Sequence, residues 1–498
     1  MDEIYSKAIQ VNVHLGEGDE KTDEACKAVQ RLAAACMAVL EAERTGVGKE
    51  TTRRDYDEVA DEVLESSPEF PFSKLYPLFR LPWFWRVWVF QEVVLARRVV
   101  YYCGEHTFDF MDLQYAADFT LVPYSKLDII ALRWRTYIRG HRWAMYHLWQ
   151  QEQGTDTNVD YSELLMTTAD LNATRPEDQI YGMYGCAKRL RLDWPAPDYK
   201  KTVAQIYTEA TVASFRKDKD LKIMTMAIGP AVGKSGFPSW VPDFSGSTST
   251  PSLLKPPELA TGFATDKQCS GASQCMWNFI LDGRHLEVKG RRFDYVAAVS
   301  EPWRAVPPLT NTENMSTIEV AYQNVERFIS CIDSSFEVAL QRNKNRDSST
   351  NLADELVAIL DLAGLFESAY SDFQSLDRVA ENISLITHTR KSDGDLITYQ
   401  IDREDDNFEA IDEFSSTMHL FQWTLVFHTA NKFCMGISNY NVKVGDLLVV
   451  FHGMKVPCLI RPCAGGFNFI GHAFVEGVLN GEFWEGGSDE DNEWFTLI

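Results

Sequence analysis

The sequence predicts an α/β fold at the N-terminal end, followed by a mainly helical region and a small antiparallel β domain. Short strand-like runs at 11–16 and 99–103 flank helical patterns, which is the alternation of an α/β domain. Residues 125–225 show mostly helical patterns. From 424 to 475, short β-type runs follow one another at close spacing with glycines between them, which is typical of a small barrel or sandwich.

The α/β region begins with the end of a helix at 1–9 and a strand at 11–16. We expect an alanine-rich helix at 24–43, a second helix at 83–97 and a strand at 99–103. Strands joined through helices run parallel, so this region should hold a short parallel sheet with an exposed edge that invites pairing.

The composition divides the chain into five regions. Residues 1–118 form the α/β region, and 119–250 form the helical region. Residues 251–423 are a mixed region with short strands, helices and a polar insertion, and 424–484 are the small β domain. Acidic residues dominate 485–498, so we expect a solvated tail there.

The charge balance excludes some classes of partner. The chain has 498 residues, with 72 acidic and 48 basic side chains and a formal charge of −24. A field of this sign repels phosphate backbones and anionic lipid, so nucleic acid and membrane surfaces are poor partners. No apolar run is long enough to span a bilayer, and the N-terminal residues lack the apolar stretch of a signal peptide. The ten cysteines have neither disulfide-scaffold nor zinc-module spacing, which favours reduced thiols and a cytoplasmic location.

Several short segments carry motifs in a fixed order over nearly the whole chain. They read MDEIY at 1–5, RVWVFQE at 86–92, ATRPEDQIY at 173–181, PSWVPD at 238–243 and PCLIR at 457–461. Each segment alone is weak, but their order and spacing are specific. Together they resemble the heterokaryon-incompatibility (HET) domain family of filamentous fungi.

The resemblance carries expectations about fold and role. Family members have two further strands before the position of Met1, so we expect a HET domain cut short at its N-terminus. HET domains are distantly similar to TIR domains, which implies a partial flavodoxin-like parallel sheet. The family role implies non-self recognition and regulated cell death. The implied partners are other proteins, either HET-family relatives or a second copy of the chain.

The same resemblance directs attention to Trp88 and Glu92. Some TIR domains cleave NAD with a glutamate that lies four residues after a tryptophan on a helix, and Trp88 and Glu92 have this spacing. Positions i and i+4 share a helix face, so the indole would wall a pocket and bind substrate. The carboxylate would stabilise the cationic transition state as nicotinamide leaves.

A structural interpretation of Glu92 stands beside the catalytic one. A tryptophan-rich helical stripe usually packs in a core, and Glu92 would then pair with Arg86, Arg97 or Arg98. Two strands also make a poor cradle for a dinucleotide, because nucleotide sites form at the ends of several strands. We therefore favour an interaction or regulatory module without a cofactor, and a residual NAD-cleaving enzyme is the alternative.

Two other groups of residues were considered as sites. His452, Cys458, Cys463 and His472 lie in the β domain, but their spacing fits no standard zinc pattern, so no metal is expected. Cys103 and His106 stand close together in the sequence, and a turn at the end of a strand explains them better than a nucleophile.

Overall fold

The computed structural model describes residues 2–45, 74–119, 129–155, 159–169, 171–228, 236–245, 268–280, 284–303, 386–389, 398–401, 424–432, 434–475 and 477–498. The chain forms two compact units. The first comprises Met1–Ile206 and Phe244–Ser247, and the second comprises Tyr207–Asp243 and Thr248–Ile498. The predicted helices between 318 and 376, and the polar stretch 342–351 that breaks them, lie outside the described residues.

The first unit contains a three-stranded sheet. Strand β1 (Val11–Gly16) pairs parallel with β2 (Val99–Cys103), as the sequence predicts. Strand β3 (His106–Asp109) then folds back on β2 in an antiparallel hairpin, with Cys103 opposite His106. The expectation of a purely parallel sheet was therefore wrong at this edge, because a two-residue turn can only join antiparallel strands.

Helices surround this sheet in sequence order. They are α1 (Asp2–Lys7), α2 (Glu20–Thr45), α3 (Tyr76–Phe79), α4 (Val87–Val94), α5 (Phe110–Phe119), α6 (Ile129–Glu152), α7 (Tyr161–Thr168), α8 (Asp178–Tyr181) and α9 (Tyr184–Arg189). Helices α6 and α7 approach closely at Gly140, where any Cβ would collide with the Thr167 methyl group. No helix in the described part of the chain has the length and apolarity that crossing a bilayer requires.

The single helix predicted at 83–97 is interrupted. A 3-10 turn (Pro82–Trp85) precedes α4, and Arg86 between them has extended backbone. The flanking peptide groups bond to Asn172, whose carbonyl accepts from the Val87 amide at 2.9 Å. A backbone pairing 86 residues away in sequence thus overrides the local helix preference, and it fixes where α4 begins.

The second unit is built on an eight-stranded sheet. Its strands are β4 (Trp277–Ile280), β5 (His285–Val299), β8 (Thr424–Thr429), β9 (Met435–Asn439), β10 (Leu447–Phe451), β11 (Cys458–Cys463), β12 (Gly466–Val475) and β13 (Glu493–Leu497), and a separate hairpin pairs β6 (Ile386–Thr389) with β7 (Thr398–Ile401). Antiparallel pairings run from β5 through β10, β11, β12, β9 and β8 and return to β5. Six strands therefore close into a ring, and this closure leaves each of them paired on both sides.

The side chains expected to hold this β domain together lie inside it. Alternation in the sequence places them on one face, and the structure confirms that all six are buried: Phe427, Val449, Phe451, Leu459, Phe469 and Phe474. The remaining elements of the unit are α10 (Val203–Asp218), α11 (Glu482–Glu485) and 3-10 turns at Lys222–Met226 and Asp489–Asp491.

The expectation of a solvated tail at 485–498 was wrong. Strand β13 pairs antiparallel with β5, and the side chains of Phe495 and Leu497 are fully buried. The acidic residues Asp489 to Asp491 form an exposed turn before it. Acidic residues in the turn concealed a short alternating apolar pattern that is sufficient to form a strand.

Candidate functional site

Helix α4 presents Trp88 and Glu92 on its accessible side. Six of its eight residues, Val87, Val89, Phe90, Gln91, Val93 and Val94, are buried. Only Trp88 and Glu92 are half-buried, and both lie on the helix as the spacing predicts. The pair therefore borders the surface, with the apolar body of the helix beneath it.

The Glu92 carboxylate has two partners of opposite chemistry. The Tyr5 hydroxyl on α1 donates a hydrogen bond to it, and the Arg86 guanidinium lies near enough to stabilise its charge. Burial nevertheless raises the pKa of Glu92 above its ordinary value, and these two partners oppose the rise only in part. Burial and the neighbouring carboxylate raise the pKa of Tyr5 to about 12. Arg86 was among the expected partners, whereas Tyr5 was not.

Two buried tyrosines lie on the inner side of Glu92. Tyr101 on β2 and Tyr137 on α6 have hydroxyls without a hydrogen-bond partner among the described residues. The pKa of each is raised first by burial, and the negative charge of Glu92 adds to the rise in both. The carboxylate is thus within electrostatic reach of the core, and its charge opposes ionisation of both phenols.

An aromatic cluster fills the space around these tyrosines. The Trp134 ring stacks on Phe79 at 4.1 Å and on Tyr137 at 5.0 Å between centroids, and Phe84 meets Trp134 edge-on at 4.8 Å. Trp134, Phe79 and Phe84 are buried. Packing of this kind leaves the Glu92 carboxylate a hydrogen-bond acceptor in a shallow, tyrosine-lined position.

A cavity of about 500 Å³ lies elsewhere in the first unit, between α5 and α6. Neither Trp88 nor Glu92 is among its lining residues, which are Phe110, Met111, Gln114, Arg139, Arg142, Trp143, Met145 and Tyr146. The sequence gave no indication of this cavity, because its two walls are separated by the segment that joins the helices.

The remaining candidate groups do not assemble into sites. Among the described residues, no three His, Cys, Asp or Glu side chains are grouped to hold a metal ion. His472 does lie opposite Cys458 across β11 and β12, but His452 packs against Trp484 instead, with ring centroids 4.7 Å apart. Cys103 is buried at a strand end, and His106 contacts Asp23 of α2. The predicted turn at 104–105 is confirmed.

The buried His141 predicts acid sensitivity. Its Nδ1 donates to the Tyr137 carbonyl at 2.7 Å, its Nε2 has no described partner, and burial lowers its pKa from 6.5 to about 4. The unfolded chain therefore binds the proton first as pH falls, so the free energy of unfolding decreases between pH 6.5 and 4, by roughly 1.4 kcal/mol per pH unit. We expect His141→Phe to remove this decrease, measured by denaturant unfolding across that range.

An exposed histidine provides the control for this prediction. His14 on β1 is exposed, and His14→Gln should leave the pH dependence unchanged. A pH dependence of the His141→Phe variant that equals that of the unchanged chain would contradict the assignment.

The fold and the site together define a protein with an N-terminal α/β unit, a half-buried tyrosine-bound carboxylate and a closed antiparallel β unit. Residues 1–92 match the family model described as Heterokaryon incompatibility protein (HET), and residues 360–497 match the Het-6 beta-barrel domain. The chain is a heterokaryon-incompatibility family protein. No curated protein and no solved structure matches it.

Proposed function

We propose that this chain acts in fungal non-self recognition and regulated cell death as an interaction or regulatory module, located in the cytoplasm. The carrying observation is the environment of Glu92. Its carboxylate is engaged by the Tyr5 hydroxyl and the Arg86 charge, and it does not line the described cavity. A carboxylate committed to the protein's own groups is poorly placed to meet a ribose.

The acidic composition supports the same proposal. A chain with a formal charge of −24 has little use for a dinucleotide phosphate outside a local basic site. Its partners would be proteins, including HET-family relatives or a second copy. The family matches at both ends of the chain are consistent with this role.

The alternative is a TIR-like NAD-cleaving enzyme. Trp88 and Glu92 share the accessible side of α4, which is the one observation that favours it. In that role Trp88 would wall the nicotinamide, and the ionised Glu92 would stabilise positive charge on the ribose. The raised pKa of Glu92 works against the ionised form that this chemistry needs.

An NAD-cleavage assay separates the two roles. The purified chain and its Glu92→Gln variant are incubated with millimolar NAD, and released nicotinamide is quantified. We expect no release above the protein-free blank from either protein. If the chain does cleave NAD, removal of the charge should cost about 2 kcal/mol, roughly a 30-fold loss of rate.

The matched control is Glu105→Gln, which changes an exposed glutamate in the β2–β3 turn. Turnover by the unchanged chain would reject the proposal of a non-enzymatic module. Turnover that Glu92→Gln and Glu105→Gln affect equally would remove Glu92 from the mechanism. Association with a purified HET-family relative, measured by sedimentation, tests the interaction role directly, and we expect a complex.

A further inference from the structure

Helix α6 differs in charge from the rest of the chain. It carries arginines at 133, 135, 139 and 142, and its first acidic residue is Glu152 near its end. The whole chain has 72 acidic residues against 48 basic ones. A stretch of helix without a carboxylate is therefore a local positive feature on a strongly negative protein.

Four exposed side chains of α6 share one face. Arg139, Arg142, Tyr146 and Trp149 are spaced three, four and three residues apart, which places them along a single stripe. Tyr146 and Trp149 are 54% and 57% exposed, although both are large aromatic residues. Their rings lie side by side, with centroids 6.3 Å apart. We call these four residues the arginine–aromatic surface.

The cavity of about 500 Å³ opens beside this surface. Its α5 wall includes Met111, which is 42% exposed, and Gln114, and its α6 wall includes Arg139, Arg142 and Tyr146. This volume lies within the range of roughly 300–1,000 Å³ found for sites that enclose a ligand group. It can take a large apolar side chain with cations at its rim.

We propose that the arginine–aromatic surface binds a short acidic segment of a partner protein, whose apolar or aromatic side chain enters the cavity while its carboxylates pair with Arg139 and Arg142. Arginine, tryptophan and tyrosine are the residues that dominate binding energy at protein interfaces. Guanidinium groups pair with carboxylates through two parallel hydrogen bonds. The net charge of the chain repels a long polyanion, so a short segment that reaches only this face fits best. The inference rests on the proposed role as an interaction module and names the chemistry of its partner.

The test uses the full chain and a fluorescent synthetic peptide in which glutamates alternate with tryptophans. Binding is measured by anisotropy for the unchanged chain, for Arg139→Glu with Arg142→Glu, and for Tyr146→Ser with Trp149→Ser. We expect each double substitution to weaken binding at least tenfold. The control is Arg97→Glu with Arg98→Glu, which makes the same charge change at two other exposed arginines of the unit and should change binding less than twofold.

A second measurement needs no variant. Affinity of the unchanged chain should fall as salt rises to physiological strength and above, because exposed charge pairs are screened. A peptide with lysines in place of glutamates should not bind. Equal binding by the Arg139→Glu, Arg142→Glu variant and the Arg97→Glu, Arg98→Glu control would overturn the proposal. So would concentration-dependent dimers that the Arg139→Glu, Arg142→Glu pair abolishes, because the occupant would then be a second copy.

The two proposals fail separately. NAD cleavage would reject the interaction module while leaving the peptide result to decide this surface. Loss of peptide binding in the control variant as well would reject the surface without bearing on NAD.

Discussion

Replacing Phe451 with alanine should destabilise the second unit by about 3–5 kcal/mol. The side chain is fully buried on β10, and its ring lies 5.7 Å from that of Phe495 on β13. It also covers Gly290 on β5, where an added Cβ would come within 2.9 Å of the ring. One side chain thus joins three strands, and its loss leaves a cavity that the closed ring cannot readily fill.

Hydrogen exchange of the β10 and β11 amides gives the free energy of opening for this unit alone. Tyr295→Ala on β5 is the matched control, because that side chain is 45% exposed and its loss should cost little. A loss below about 1 kcal/mol for Phe451→Ala would mean that the ring does not close as described.

The strands between 424 and 475 could be predicted because each carries its own period-two pattern and glycine-marked ends. Closure of the ring could not be predicted in this way. It depends on β5, which precedes β8 by more than a hundred residues and contains Arg291, Arg292 and Asp294. Charged residues normally argue against a central strand. Here the Arg291 guanidinium lies 4.1 Å from the Trp484 ring and donates to the Trp484 carbonyl at 2.7 Å.

The candidate site shows the same division. Spacing alone placed Trp88 and Glu92 on one helix face, because that geometry is local. The hydroxyl that bonds Glu92 belongs to Tyr5, 87 residues earlier, and no periodicity connects the two. The buried phenols of Tyr101 and Tyr137 were missed for the same reason. Long-range partners of a carboxylate are set by packing, which a single sequence does not display.

The ion pair of Asp446 and Arg461 carries the second large effect. Arg461 on β11 holds the Asp446 carboxylate with two parallel hydrogen bonds, of 2.7 Å from Nε and 2.8 Å from Nη2. Asp446 is 1% exposed and also accepts from the Lys443 amide at 2.8 Å. Arg461→Met should therefore cost roughly 3–5 kcal/mol, because it leaves a buried carboxylate without its cation. Adding Asp446→Asn should recover most of this loss, since the amide keeps the size and an acceptor for Lys443 while removing the charge. Amide exchange of β10 and β11 measures both variants. A double variant as unstable as Arg461→Met alone would show that lost packing of the arginine stem, rather than unpaired charge, is the cause.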